Sequence, residues 1–251
     1  MKKLLLMMLL VSFVGGWSVG AQSQDHSMKN IYYDYGKPPA RTRPNQPRRG
    51  RPGAMVKLEL KRDNRVSYVP ASKTFYSGDR VRLHIRVNRD AYLTILNQGT
   101  TGDLQLIYPK TQADAERKIT KTMDFTVPTT PGNWLKFDDN HGVERMIVIL
   151  SAQPTREVLV ALSGQSSAPP RPQSQPQSGA GEEQQNLEVV ELLNSKSLGD
   201  ELDATSKDFT ESSDETDNDG QPAAFAVSSG NNADLKKPVI YKLSLRHGRK
   251  P

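Results

Sequence analysis

The sequence predicts a mainly-β protein built around one antiparallel β-sandwich, immunoglobulin-like in the loose sense. Three observations predict it. Apolar and polar residues alternate with a period of two in several short runs, as half-buried strands require. Gly, Pro, Asn and Asp separate those runs at turn spacing. No strong 3.6-residue periodicity interrupts them between residues 56 and 164, and many short strands without helices make a sandwich or barrel.

The elements follow in order. Val56, Leu58 and Leu60 alternate with Lys57, Glu59 and Lys61. Residues 66–69 form a short second strand ended by Pro70, and Phe75 to Asp79 reads as a turn. Val81, Leu83, Ile85 and Val87 then alternate with Arg80, Arg82, His84 and Arg86, an apolar face backed by a basic one. Ala91 to Leu96 and Leu104 to Tyr108 are two strands joined by a hairpin loop over residues 97–103. A helical turn is expected at residues 113–116 and short strands at 125–127 and 134–137. Asp138 to Gly142 turns the chain into a strand over 143–150, and residues 158–162 supply another. The expected core is Val81, Leu83, Ile85, Tyr92, Leu93, Ile95, Trp134, Ile147 and Ile149.

The flanks differ in kind. Residues 1–21 have the layout of a secretory signal peptide: Lys2 and Lys3, an apolar run from Leu4, and small residues before Gln22. The apolar run is shorter than the roughly 20 residues that span a bilayer. The mature chain is therefore expected to begin near Gln22, without a transmembrane segment, in the periplasm or at the cell surface. Residues 22–55 alternate Pro with Arg and are expected to be a disordered tail, with Ile31 to Tyr35 as an apolar cluster able to anchor on a partner or on the domain. Residues 165–235 are expected to be a disordered acidic insertion with a weak helix at 182–194. Val239, Tyr241, Leu243 and Leu245 restore alternation, so residues 236–251 are expected to return a strand to the sandwich.

Charge is segregated. Residues 22–55 carry a net +5, residues 56–164 a net +4, residues 165–222 a net −10 and residues 223–251 a net +5. A nucleic-acid-binding module needs a basic face on one folded unit, and this pattern does not supply it. No nucleic acid is expected. The chain has no cysteine, which excludes disulfides, thiolate catalysis and Cys-based metal sites.

The order of Phe75-Tyr76-Ser77-Gly78-Asp79-Arg80-Val81-Arg82-Leu83-His84-Ile85, Asp90 to Leu96, Gly102 to Pro109 and Val127-Pro128 resembles a bacterial extracytoplasmic family, domain of unknown function 4384 (DUF4384). The resemblance covers roughly residues 57–163. It implies an accessory β domain, sometimes appended to kinase-like or caspase-like regions, and no catalytic residues.

Two places could carry chemistry. Arg80, Arg82, His84 and Arg86 share one strand face and could hold an anionic ligand or partner, although a solvated face is the simpler reading. Asp138-Asp139-Asn140-His141-Gly142 gathers oxygen donors and an imidazole, but those residue types also favour a β-turn, which is the reading adopted. Glu215 to Gly220 looks like half a calcium loop without its closing Glu and reads as solvated charge. His26 and His247 read as tail residues. No nucleophile elbow, phosphate loop or dinucleotide fingerprint is present. No catalytic residue, cofactor or metal ligand is assigned. The expected function is a non-enzymatic module of the bacterial cell envelope, docking a protein or an anionic polymer. The alternative is a hydrolytic or metal-dependent enzyme with a site near Asp138 and His141.

Overall fold

Alternation becomes burial most plainly in β4 (Arg80–Val87), where every second residue is buried. The computed structural model describes residues 27–35, 51–121, 123–154, 209–228, 235 and 238–250. The expected signal segment, the strand expected at 158–162 and the helix expected at 182–194 lie outside the described residues. Before β4 come α1 (Met28–Tyr33), β1 (Gly53–Arg62), β2 (Arg65–Val69) and β3 (Phe75–Tyr76). After it come β5 (Tyr92–Gln98), β6 (Leu104–Tyr108), α2 (Gln112–Ala115), β7 (Phe125–Val127), β8 (Leu135–Lys136) and β9 (Gly142–Ser151). The chain closes with β10 (Phe209–Thr216), β11 (Pro222–Ser228) and β12 (Val239–Gly248).

These strands form two sheets, and the fold is the expected mainly-β sandwich. The larger sheet runs β10-β11-β1-β4-β7, with β2 added to β1 and β8 to β4. The smaller runs β3-β12-β9-β5-β6. Between them pack Leu58 and Leu60 of β1, Leu83 and Ile85 of β4, Leu93 and Ile95 of β5, and Leu243 and Leu245 of β12. Asp79, in the turn before β4, is buried and holds the corner: it accepts hydrogen bonds from the Tyr76 N–H and from both Nε and Nη2 of Arg62.

The C-terminal alternation is realised as β12, and its position is central. It runs antiparallel to β9 from Val239 opposite Leu150 to His247 opposite Gly142, with β3 on its other side. Tyr241, Leu243 and Leu245 are each 1% exposed.

Several expectations need correction. Residues 209–228, assigned to a disordered insertion, form the antiparallel hairpin β10–β11 at the edge of the larger sheet. β11 is buried from Ala223 to Ser228, so it shows no alternation to read. Ala224 and Ala226 face the main core, while Ala223, Phe225 and Val227 join a second cluster with Tyr32 and Met55. The domain accordingly starts at Gly53, because Gly53 to Val56 pairs with β11. A Cβ at Gly53 would sit 2.3 Å from the Ala226 carbonyl oxygen, so this register requires glycine. Residues 28–33 of the supposed tail are helix α1, capped by Ser27 and laid on that second cluster. Tyr92 and Trp134 are only partly buried, and Phe137, three residues beyond Trp134, takes the core position by stacking on Phe75 with ring centroids 4.8 Å apart.

Asp217, read as solvated charge, is 2% exposed. Its Oδ2 lies 3.1 Å from Lys57 Nζ, tying the β10–β11 turn to β1, and its Oδ1 accepts the N–H groups of Asp219 and Gln221. Burial pushes its carboxyl up, but the Gln221 N–H, the Lys57 ammonium and the Asp219 N–H together bring it below the usual carboxylate range. Lys29 reaches the same turn from α1, donating to the Asp217 carbonyl at 3.1 Å.

Deleting residues 236–251 removes the middle of the smaller sheet, and the shortened chain should lose its cooperative melt. Asp217 titrates lower folded than unfolded, so its contribution is complete above about pH 4 and fades as pH falls through its folded-state value. Asp217→Asn should cost about 3–5 kcal/mol at pH 6, since it leaves the Lys57 charge buried and unpaired. Denaturant melts from pH 6 down to pH 3 should show the wild-type and variant curves converging.

Candidate functional site

The polar groups gather in two places: on the outer face of the larger sheet and at one open end between the sheets.

On the outer face the antiparallel register sets side chains in rows. Lys61 of β1, Arg80 of β4 and Lys136 of β8 are direct neighbours. The next row is Tyr68, Glu59 and Arg82, and the one after it Lys57, His84 and Thr126. The structure thus brings Arg80, Arg82, His84 and Arg86 together as expected and then divides them. Glu59 Oε2 lies 3.2 Å from His84 Nε2 and 3.8 Å from Arg82 Nη1. Asp124 lies 3.2 Å from Arg86 Nη2 and 3.7 Å from His84 Nδ1. Those three are therefore already paired. Arg80 is not: among the described residues no carboxylate lies within ion-pair distance of Lys61, Arg80 or Lys136. Trp134 borders this row, with the Arg82 guanidinium 4.0 Å and Lys61 Nζ 5.8 Å from its ring centre. Its aromatic face is occupied by cations, which is why it is not a core residue.

At the open end the inner face of the smaller sheet changes from apolar to polar. Glu144 stands opposite Leu245, and His247 opposite Gly142. Carrying the period of β12 two residues past Leu245 puts His247 inward, where it is 2% exposed. This corrects its reading as a tail residue. Its ring meets Phe137 edge-on at 5.2 Å. Its Nε2 lies 3.4 Å from Ser77 Oγ, and its Nδ1 faces Glu144 Oε1 at 3.6 Å with no hydrogen-bond partner among the described residues. Glu144 also accepts from Asn97 Nδ2 at 3.3 Å, and its burial pushes its carboxyl up.

Asp138 to His141 bends the chain at Asp139 into β9, whose first residue is Gly142. Asp138 accepts from the Asn140 N–H at 2.7 Å and from Asn140 Nδ2 at 2.8 Å, and those bonds hold its carboxyl below the usual range. The bend nevertheless delivers Asp138 to the buried pair. One ligand atom each of Asp138, Glu144 and His247 lie within 4.8 Å of one another. His141 flanks them, its ring 4.9 Å from that of His247 and its Nε2 3.5 Å from Ser77 Oγ. Beside the cluster, Asn97, Thr100, Lys136, Asp138, Asn140 and Glu144 help line a polar cavity of about 250 Å³. Sequence reasoning found Asp138 and His141 and missed Glu144, His247 and Ser77. The signal that could have found the first two was the phase of β9 and β12, carried one step beyond the apolar residues.

Fold and site together define a β-sandwich domain with a polar mouth and a cationic outer face. Within it, residues 74–154 match the family model described as Domain of unknown function (DUF4384), so the resemblance read from the sequence is shown over that segment. The matched segment contains β3 to β9, while β1, β2 and β10 to β12 complete the sheets from outside it. Ser77, Asp138, His141 and Glu144 lie inside the match and His247 outside it. No curated protein and no solved structure matches the chain.

Gly142 fits the strand to this mouth. It sits at φ +150°, and a Cβ there would lie 2.8 Å from Thr100 Cγ2. Gly142→Ala should lower stability by about 1 kcal/mol or more, measured as a shift of the denaturant midpoint, because backbone strain and the Thr100 contact act together.

Proposed function

We propose that this chain is an exported, non-enzymatic binding or assembly module of the bacterial cell envelope. It docks an anionic partner, an envelope protein or polymer, on the outer face of its larger sheet. The observation that carries this reading is the row Lys61, Arg80 and Lys136. Like charges directly opposite one another destabilise a sheet, and the described residues supply this row with no compensating carboxylate. A partner bearing spaced negative charges would relieve that repulsion and release counterions. The neighbouring Trp134 and Arg82 would add a flat contact surface beside it. The paired residues Arg82, His84 and Arg86 frame the row rather than form its centre. Long-range attraction to such a face steers encounter and is screened by salt.

Trp134 is the single tryptophan after the signal segment, so its fluorescence reports on this face. Titrating the mature chain with poly-glutamate should change that fluorescence, with affinity falling steeply between about 50 and 300 mM salt. Arg80→Glu combined with Lys136→Glu should weaken binding at least tenfold with the melting curve preserved. Equal binding by wild type and variant, or none by wild type, would contradict the reading. Fractionation of cells carrying the native chain tests the envelope location independently.

A further inference from the structure

We propose that Asp138, Glu144 and His247 bind one divalent transition-metal ion at the open end of the sandwich, with Ser77 orienting the histidine. Lys136 lines the cavity beside this site as well as ending the cationic row, but none of the three ligands belongs to that row, and the proposal does not depend on the function proposed for it.

His247 is the centre of this cluster. Its side chain is fully enclosed, so its two ring nitrogens must find partners inside the protein. Nε2 has one in Ser77 Oγ at 3.4 Å. In the tautomer that donates its Nε2 proton to Ser77 the Nδ1 lone pair is unshared, and Nδ1 is one of the buried side-chain atoms with no hydrogen-bond partner among the described residues. It looks onto the Glu144 carboxylate at 3.6 Å, too far for a hydrogen bond. In that tautomer the imidazole lone pair and the carboxylate oxygen face each other and repel unless a cation or a proton lies between them, and at 3.6 Å a proton makes no hydrogen bond. Ligand atoms around a zinc ion, at bond lengths of about 2.0–2.1 Å, stand about 3.3 Å apart in a tetrahedral set. The present 3.6 Å separation is already close to that spacing.

The remaining partners fit the same chemistry. Asp138 brings a second carboxylate, held ionised by the Asn140 contacts, within 4.8 Å of both other ligand atoms. One imidazole and two carboxylates form a mixed N/O set, which suits zinc, manganese or iron more than calcium, whose sites are built from oxygen. Ser77 acts on His247 and Asn97 on Glu144, the outer contacts that fix ligand orientation in metal sites. The adjoining polar cavity leaves an open side for water or a small anion.

The placement also gives binding a structural consequence. Asp138 precedes β9, Glu144 lies within it and His247 stands next to the last residue of β12, so one ion would join the C-terminal strand to the family segment. Such an ion binds only the folded chain and must therefore stabilise it.

The test uses the mature full-length chain, stripped with chelator and reloaded separately with zinc, manganese and calcium. The expected result is one equivalent of zinc or manganese after dialysis, a melting temperature raised by several degrees, and visible absorption bands on loading with cobalt(II). Asp138→Asn, at an exposed position, should keep the fold and reduce retained metal to below a tenth of an equivalent. Glu144→Gln should do the same. His247→Gln should also lose the metal, and Asp138→Asn keeps the test decisive if that buried variant fails to fold. No stoichiometric binding by wild type would overturn the proposal. Undiminished binding by folded Asp138→Asn and Glu144→Gln would overturn it as well, because the ion would then sit elsewhere.

Discussion

The pairing of β12 with β9 is the constraint on which the rest of the molecule depends. Nine residues of the C-terminal strand run in register with β9, and the smaller sheet has no continuous path between β3 and β9 without them. Tyr241, Leu243 and Leu245 reach the core from this strand, and His247 reaches the polar mouth. The segment that matches a family model is thus part of a larger folding unit. Its apolar faces are completed by strands that precede and follow it in sequence.

A second constraint holds the opposite sheet. The Lys57–Asp217 pair links β1 to the β10–β11 turn, and α1 covers the cluster around Phe225 on the same flank. Burying an ion pair is costly unless both partners are fully bonded. Asp217 meets that condition with two backbone N–H groups as well as the ammonium. The polar groups at the mouth meet it less completely: His247 Nδ1 is among the buried side-chain atoms with no hydrogen-bond partner among the described residues. On the outer face the imbalance is one of charge, confined to the row that Glu59 and Asp124 do not reach.

The sandwich was legible where one face of a strand is buried and the other wet. β4 and β12 are such strands, and their alternation marks them plainly. β11 was not legible, because burial on both faces removes the alternation and its small alanines resemble linker composition. The aromatic residues misled in the opposite direction. Trp134 looks like a core anchor, but stacked cations satisfy its ring at the surface, while Phe137 fills the interior. Half of the polar mouth could be read from Asp138 and His141. The other half depends on register: no local pattern says that Gly142 lies opposite His247, some hundred residues later. The basic row was visible as residues of β4, but its division into paired and unpaired cations required the cross-strand neighbours Glu59, Lys61 and Lys136.

Native-state amide exchange on the full chain tests the central claim most directly. Buried strands exchange only through global unfolding, whereas added or frayed segments open locally at little cost. The account predicts that the amides of Tyr241 and Leu243 share the protection of Val148 in β9 and Ile95 in β5, and lose it together as denaturant is added. Exchange of the β12 amides at rates near those of an open chain, while β5 and β9 stay protected, would contradict it.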